Sequence, residues 1–372
     1  MDKLQQATYE ELYGLIKSDY SSAVSAQCTV WEDDVPDKHP LLLHCAPPDE
    51  IMNRFPNYNA GEIHHDKDKM LLFGMKSMLG AVYGKMQAVP SIRANMGCGI
   101  IPSLFPGIKP MLFYDNRMPW IKNHLTKDEI KALREKDIII TDEFKLALEH
   151  MVYITEKIEG TGAYVYPLDI QGPVDTAHLV YGDTYFYDLY DDPDFIHHLT
   201  ELSVYAINLG IDECMKIIPK SSEVIAHYSS LVIPRSKGGL KISEDTTTIL
   251  SPHLIDEFAI PYMNRVLEHS GGGYIHYCGK HDHLFKKVIE QDLVFGINFG
   301  NPEMHDMDEI LKTTVAAGKL YYGYVTKKTD ETHREYFNRI TTAATIDGKC
   351  RLLLEMYTTQ EERDKVQDDW TG

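Results

Sequence analysis

From about residue 86 onward, short β-rich runs alternate with amphipathic helical stretches, and this alternation limits the folds open to the chain. A strand followed by a helix, repeated many times, builds a parallel sheet with helices packed on it. Candidate strands lie at 89–94, 111–114, 163–168, 223–228, 240–243, 274–277, 293–297, 320–324 and 351–356. An eight-stranded barrel needs one fewer, and 223–228 is read as part of an insertion. Helical intervals fall at 194–215, 254–269, 280–290, 306–317, 331–344 and 361–368. Ser251 is placed to cap the second of these, with Pro252 at its first turn. The expected fold is therefore α/β, a (β/α)8 TIM barrel over residues 86–372. Residues 1–85 read as helical at 3–18 and 65–85, with a proline-rich irregular stretch between. A lead of this length is too long for a structureless loop and is expected to form a cap packed on the barrel.

Composition narrows the partners. With 43% hydrophobic and 25% charged residues, the 372-residue chain has an ordinary globular balance. No run approaches the roughly 20 apolar residues of a membrane span, and the start Met1-Asp2-Lys3-Leu4 lacks the basic and apolar regions of a secretory signal. A cytoplasmic protein is expected, without membrane attachment. The formal charge of −19 opposes binding to a phosphate backbone, so nucleic acid is not an expected partner. The six cysteines show no paired framework and read as reduced thiols.

In a (β/α)8 barrel the chemistry sits at the carboxyl ends of the strands. Those ends collect Asn95 and Cys98, Asp169 and Gln171, Glu244 and Asp245, His276 and Cys278, Asn298, Tyr322 and Tyr324, and Glu355 and Tyr357. His276 and Cys278 are two residues apart on one strand, so their side chains point the same way. An imidazole and a thiolate converging from one strand form half of a tetrahedral zinc site. The competing account is a hydrogen-bonded buried histidine beside an inert packed cysteine. Glu244 and Asp245 are adjacent and face opposite sides, and Asp245 is the choice for the cavity. Asp169 and Gln171 share a face and can hold a substrate or orient a ligand histidine.

Several ordered segments carry a resemblance. Met96-Gly97-Cys98-Gly99-Ile100 resembles a glycine-bearing segment after the first strand of the uroporphyrinogen decarboxylase superfamily. Met118-Pro119-Trp120 is similar to the Pro-Trp of its cobalamin-dependent methyltransferase branch. Ile170-Gln171-Gly172-Pro173-Val174-Asp175-Thr176-Ala177 resembles the family's Gly-Pro turn, with Val-Asp where the family has Phe-Thr. The acidic turn from Ser243 to Pro252 and His276-Tyr277-Cys278-Gly279 follow in the family's order. The decarboxylase's Arg-Gln-Ala-Gly-Arg segment has no counterpart, since residues 1–60 hold one arginine, Arg54. A late histidine of the decarboxylase is also missing from 352–357. A porphyrinogen octa-acid would be poorly held without clustered guanidiniums, so the resemblance favours the methyltransferase branch.

The resemblance implies transfer of a methyl group between a corrinoid, free or on a partner protein, and a small acceptor such as a thiol or tetrahydrofolate. It implies zinc on His276 and Cys278. The methyltransferases' second cysteine, near the end of the last strand, is replaced here by Glu355-Met356, and Cys350 lies at that strand's amino end. Glu355 is accordingly the expected third ligand, because zinc accepts carboxylate oxygen. Asp245, Gln171 and Glu244 are the expected catalytic residues, and Asn95, Asp169 and Tyr322 the expected contacts for the cofactor. The alternatives are tetrapyrrole decarboxylation on the same scaffold and a non-catalytic barrel that docks a corrinoid protein.

Overall fold

The computed structural model describes residues 1–115 and 117–370. Its parallel strands are β1 (Leu41–Cys45), β2 (Ser91–Ile92), β3 (Tyr164–Val165), β4 (Leu240–Ser243), β5 (Gly273–Tyr277), β6 (Val294–Phe299), β7 (Leu320–Gly323) and β8 (Leu352–Thr358). Six of them form one sheet in the order β1-β8-β7-β6-β5-β4. β2 and β3 pair with each other, Ser91 opposite Tyr164. The chain beyond β3 reaches the sheet through a parallel bridge between Gln171 and Ser243, with Gly172 N–H donating to the Ser243 carbonyl at 2.6 Å.

These strands are short, apolar and covered on both faces, as parallel strands joined by helices must be. Leu41, Leu42 and Leu43 in β1 and Leu352, Leu353 and Leu354 in β8 are fully buried, and the two runs pair in parallel with Leu41 opposite Leu354. Helices follow the later strands in turn: Asp282–Ile289 after β5, Met307–Ala316 after β6, His333–Ala343 after β7 and Gln360–Asp369 after β8. The long helix Pro193–Ile217 starts as its sequence indicates, with the Asp192 side chain accepting from Phe195 N–H and Pro193 in its first turn.

Three features depart from the reading of the sequence and one agrees with it. Residues 1–85 supply more than a covering layer, because β1 lies within them and pairs with β8. Its five residues are closely bracketed by Pro40, Pro47 and Pro48, which disguise a buried strand as a loop. The run at 111–114 is not a strand of the main sheet: Pro110–Met111 pairs antiparallel with Trp120–Ile121. Val224–Ala226 also stands apart, in an antiparallel hairpin with Val232–Pro234, which agrees with an insertion there. The helix opened by Ser251 is interrupted by a π-helical stretch, Ile255–Ala259, before it continues as Ile260–Ser270. Pro261 has no N–H for the usual bond one turn back, so the widened turn falls just before it.

Among the described residues no helix is long and apolar enough to cross a membrane. If β1 is part of the load-carrying sheet, Leu43→Ala costs about 2–5 kcal/mol in urea denaturation. Leu4→Ala, on an exposed position of the first helix, costs less than about 0.5 kcal/mol. Equal and small losses for both would mean that residues 1–85 form only a detachable layer.

Candidate metal centre and cavity

Three adjacent parallel strands end at the same level. Ser243 of β4 lies opposite His276 of β5, and His276 lies opposite Asn298 of β6. The residues just past these ends, Asp245 and Cys278, turn toward the same space. One donor atom from each of Asp245, His276 and Cys278 falls within 4.8 Å of the others. His276 Nε2 is 3.7 Å from Cys278 Sγ, and the Cys278 backbone N–H donates to Asp245 Oδ1 at 2.6 Å.

Neighbouring groups prepare this cluster. Asn298 Nδ2 donates to the Tyr322 carbonyl at 2.6 Å, which turns its Oδ1 toward His276 Nδ1. The Nδ1 proton is therefore the one donated, and the Nε2 lone pair faces the sulfur. A second hydrogen bond of this kind commonly fixes the tautomer of a metal-binding histidine. Burial, with Lys241 nearby, pushes the imidazole down to about 4, so it is neutral and ligand-competent at neutral pH. Desolvation, followed by the Asp245 carboxylate, pushes the Cys278 thiol up to about 11. Gly300 leaves room for that sulfur, since a Cβ there would sit 2.5 Å from Sγ.

The loop carrying Asp245 is held from below. The buried Asp175 carboxylate accepts from Asp245 N–H at 2.8 Å and from Thr246 N–H at 2.5 Å. Burial and then the Asp245 charge raise Asp175 to about 7. Glu244 points the other way. Its side chain is buried and accepts from Thr247 Oγ1 at 2.8 Å, and a Cβ on Gly172 would lie 2.1 Å from its Oε1. Burial and then Asp175 raise its pKa well above the usual carboxylate range. Glu244 thus belongs to the packing under the site, and Asp245 faces the cavity as its alternation with Glu244 requires.

The cavity itself measures about 410 Å3, within the size range of small-molecule sites. Asp169, Gln171, Asp245, His276, Tyr322 and Glu355 all border it. Glu355 is not in the three-residue donor cluster; its carboxylate accepts from Tyr357 Oη at 2.6 Å. Asp245 takes the position that strand-end reasoning gave to Glu355. Asn95 is not among the residues bordering the cavity, and its Oδ1 accepts from Arg93 Nη2 at 3.4 Å. Tyr322 Oη donates to the carbonyls of Tyr228 and Ser229.

Two further charged residues, Arg93 and Lys241, border the cavity. Arg93 binds Asp169 through two bonds of 3.2 Å, and Lys241 Nζ lies 3.9 Å from the same carboxylate. Burial alone would raise Asp169, but the Arg93 and Lys241 charges outweigh it and hold the carboxyl at about 2. Lys241 sits on β4 two residues before Ser243 and therefore points to the same face. That periodicity was the available signal for it. Asn298 was visible only as one more strand-end polar residue, and Asp175 only as a departure inside a turn.

No protein-family model matches the chain, and no curated protein shows significant sequence similarity to it. Among solved structures, the methyltransferase from Methanosarcina mazei is similar with a TM-score of 0.65 and 12% sequence identity. The match covers 92% of this chain and 96% of that one. At that identity the likeness is one of fold.

The ion pair provides a direct test. Asp169→Asn leaves two largely buried cations without their shared counter-charge and is expected to cost about 3–5 kcal/mol at pH 7. Its folded-state pKa lies below the unfolded value of about 3.9, so its contribution is complete above that pH and is lost as pH falls toward about 2. The stability gap between wild type and variant, measured by urea denaturation, should narrow over that window. A constant gap would place the effect in packing instead of charge.

Proposed function

We propose that this chain is a methyltransferase that moves a methyl group between a corrinoid and a small acceptor, with a metal held by Asp245, His276 and Cys278. The eight parallel strands would close as a (β/α)8 barrel of the uroporphyrinogen decarboxylase type, with this cluster at the carboxyl ends. The observation that carries the reading is the convergence of imidazole nitrogen, sulfur and carboxylate oxygen within 4.8 Å. Nitrogen, sulfur and oxygen donors in one open cluster suit zinc, and three protein ligands leave a position for a substrate. The near full-length likeness to a methyltransferase supports the same reaction class.

A zinc ion bound there would coordinate an acceptor thiol and lower its pKa, supplying a thiolate at neutral pH. The chain's own groups prepare for this. Asn298 orients His276, Asp175 anchors the loop of Asp245, and Gly300 keeps the Cys278 sulfur uncovered. Arg93 and Lys241 together exceed the single charge of Asp169, so that wall of the cavity favours an acceptor carrying negative charge. Gln171 and Ser243 supply uncharged hydrogen-bonding groups beside it. With a thiol as acceptor, its sulfur would form the new S–C bond as the corrinoid's C–Co bond broke, the electron pair staying with cobalt.

Tetrapyrrole decarboxylation fits less well. Among the described residues Arg93 is the one arginine bordering the cavity, and Asp169 already engages it. Arg117 is exposed and pairs with Asp115, and Arg235 donates to the Ser222 and Pro219 carbonyls.

Purified protein is expected to hold about one equivalent of zinc. Cys278→Ser and Asp245→Ala should each lower that content, while Glu355→Gln should retain it. Loss of zinc in Glu355→Gln with retention in Asp245→Ala would reverse the ligand assignment. Absence of zinc in wild type after zinc-supplemented expression would remove the metal from the mechanism. Methylation of a thiol from methylcobalamin, followed by the cobalamin absorbance change, tests the reaction itself.

A further inference from the structure

A second cavity of about 470 Å3 lies beside the first. It is bordered by His44 and Cys45 of β1, by Ser91 of β2 and by Tyr357 and Thr358 at the end of β8. It therefore opens at the same functional ends of the strands as the metal cluster. Tyr228 borders both cavities.

What stands between them is the tip of the inserted hairpin. Its strands Val224–Ala226 and Val232–Pro234 are joined through Tyr228–Ser230. Ser229 and Ser230 hold φ of 56° and 66°, a left-handed conformation that serine rarely adopts. Strain of this kind persists only where surrounding contacts enforce it, and it collects at functional sites. The contacts come from both sides. Tyr322, from the first cavity, donates to the Tyr228 and Ser229 carbonyls. His44 Nε2, from the second, lies 3.3 Å from the Ser229 carbonyl oxygen. The Glu355–Tyr357 hydrogen bond joins the two compartments at another point, one partner bordering each.

The chemistry of the two compartments differs. Among the described residues no lysine, arginine, aspartate or glutamate borders the second cavity. Burial keeps His44 neutral by pushing it down to about 4. An ion entering this space would lose water and gain no counter-charge. The Ser77, Ser91 and Tyr357 hydroxyls donate to the Phe73 and His227 carbonyls and to Glu355, which leaves their oxygens to accept from a ligand's O–H. The His44 and Tyr357 rings stack with centroids 4.9 Å apart and planes 20° from parallel, and Tyr166 and Tyr228 add further aromatic wall. Flat apolar faces edged by hydroxyls match a ring that is itself flat and hydroxylated.

We infer that this second cavity is a separate binding site for an uncharged ring bearing hydroxyl groups, and that the Tyr228–Ser230 tip divides it from the charged compartment. The site stands independently of the metal reading.

The full-length protein, titrated with resorcinol in a calorimeter, is expected to show one site with Kd of order 1 mM, a magnitude reasonable for so small a ligand. Ser77 is exposed on the helix Lys67–Gly84 and borders the cavity, so Ser77→Phe fills the space from the surface without disturbing the core. This variant should weaken resorcinol about tenfold or more while zinc content stays at the wild-type level. Tyr228→Ala, which removes an exposed wall residue, should also weaken it. Benzoate, the anionic control, should not displace resorcinol. Resorcinol binding that is absent, or unchanged in both variants, overturns the proposal, as does displacement by benzoate at equal strength.

Discussion

The in-register ending of β4, β5 and β6 is the constraint on which the candidate site depends. Parallel pairing sets Ser243, His276 and Asn298 side by side. Because side chains alternate along a strand, the same pairing sends Lys241 and Ser243 to one face of β4, and Tyr274 and His276 to one face of β5. All four border the cavity. A slip of one residue in β5 would turn His276 into the helix layer and bring Tyr277 inward. The fully buried Tyr277, packed on Phe299 at 4.9 Å, opposes that slip because its ring already fills the outer layer.

Charge is arranged in layers around this register. Deepest are Asp175 and Glu244, whose burial raises both carboxyls. Above them Asp245 reaches the cavity, with Cys278 N–H on its oxygen. Lys241, near His276, shares Asp169 with Arg93. The donor cluster thus has a cationic neighbour, Lys241, on the strand that leads into Asp245. The inserted hairpin then marks where this charged space stops and an uncharged one begins.

Shape similarity to a methyltransferase at 12% identity means that fold and site are supported by different observations. The likeness speaks for the arrangement of strands and helices. The donor cluster speaks for chemistry, because function resides in a site and not in a fold. Here the two agree in position, since the cluster sits at the strand ends where an α/β fold of this kind places its ligands.

Local pattern determined much of this protein. Strands β4 to β8 were legible because each is a short apolar run followed by an amphipathic helix, and His276 and Cys278 were legible because a two-residue spacing on a strand fixes a common face. The N-terminal half was less legible. β2 and β3, only two residues each, fall inside the expected runs 89–94 and 163–168, whereas β1 is bracketed by prolines and shows no usable period. Tertiary structure alone decided which carboxylate joins the histidine and cysteine. Asp245 lies just past β4 and Glu355 in the later part of β8, and sequence alone does not rank the two carboxylates. Their difference arises from β4 being the neighbour of β5, while β8 is separated from β5 by β7 and β6. Strand order is a property of long-range pairing, and no local pattern encodes how far apart two strand ends will lie.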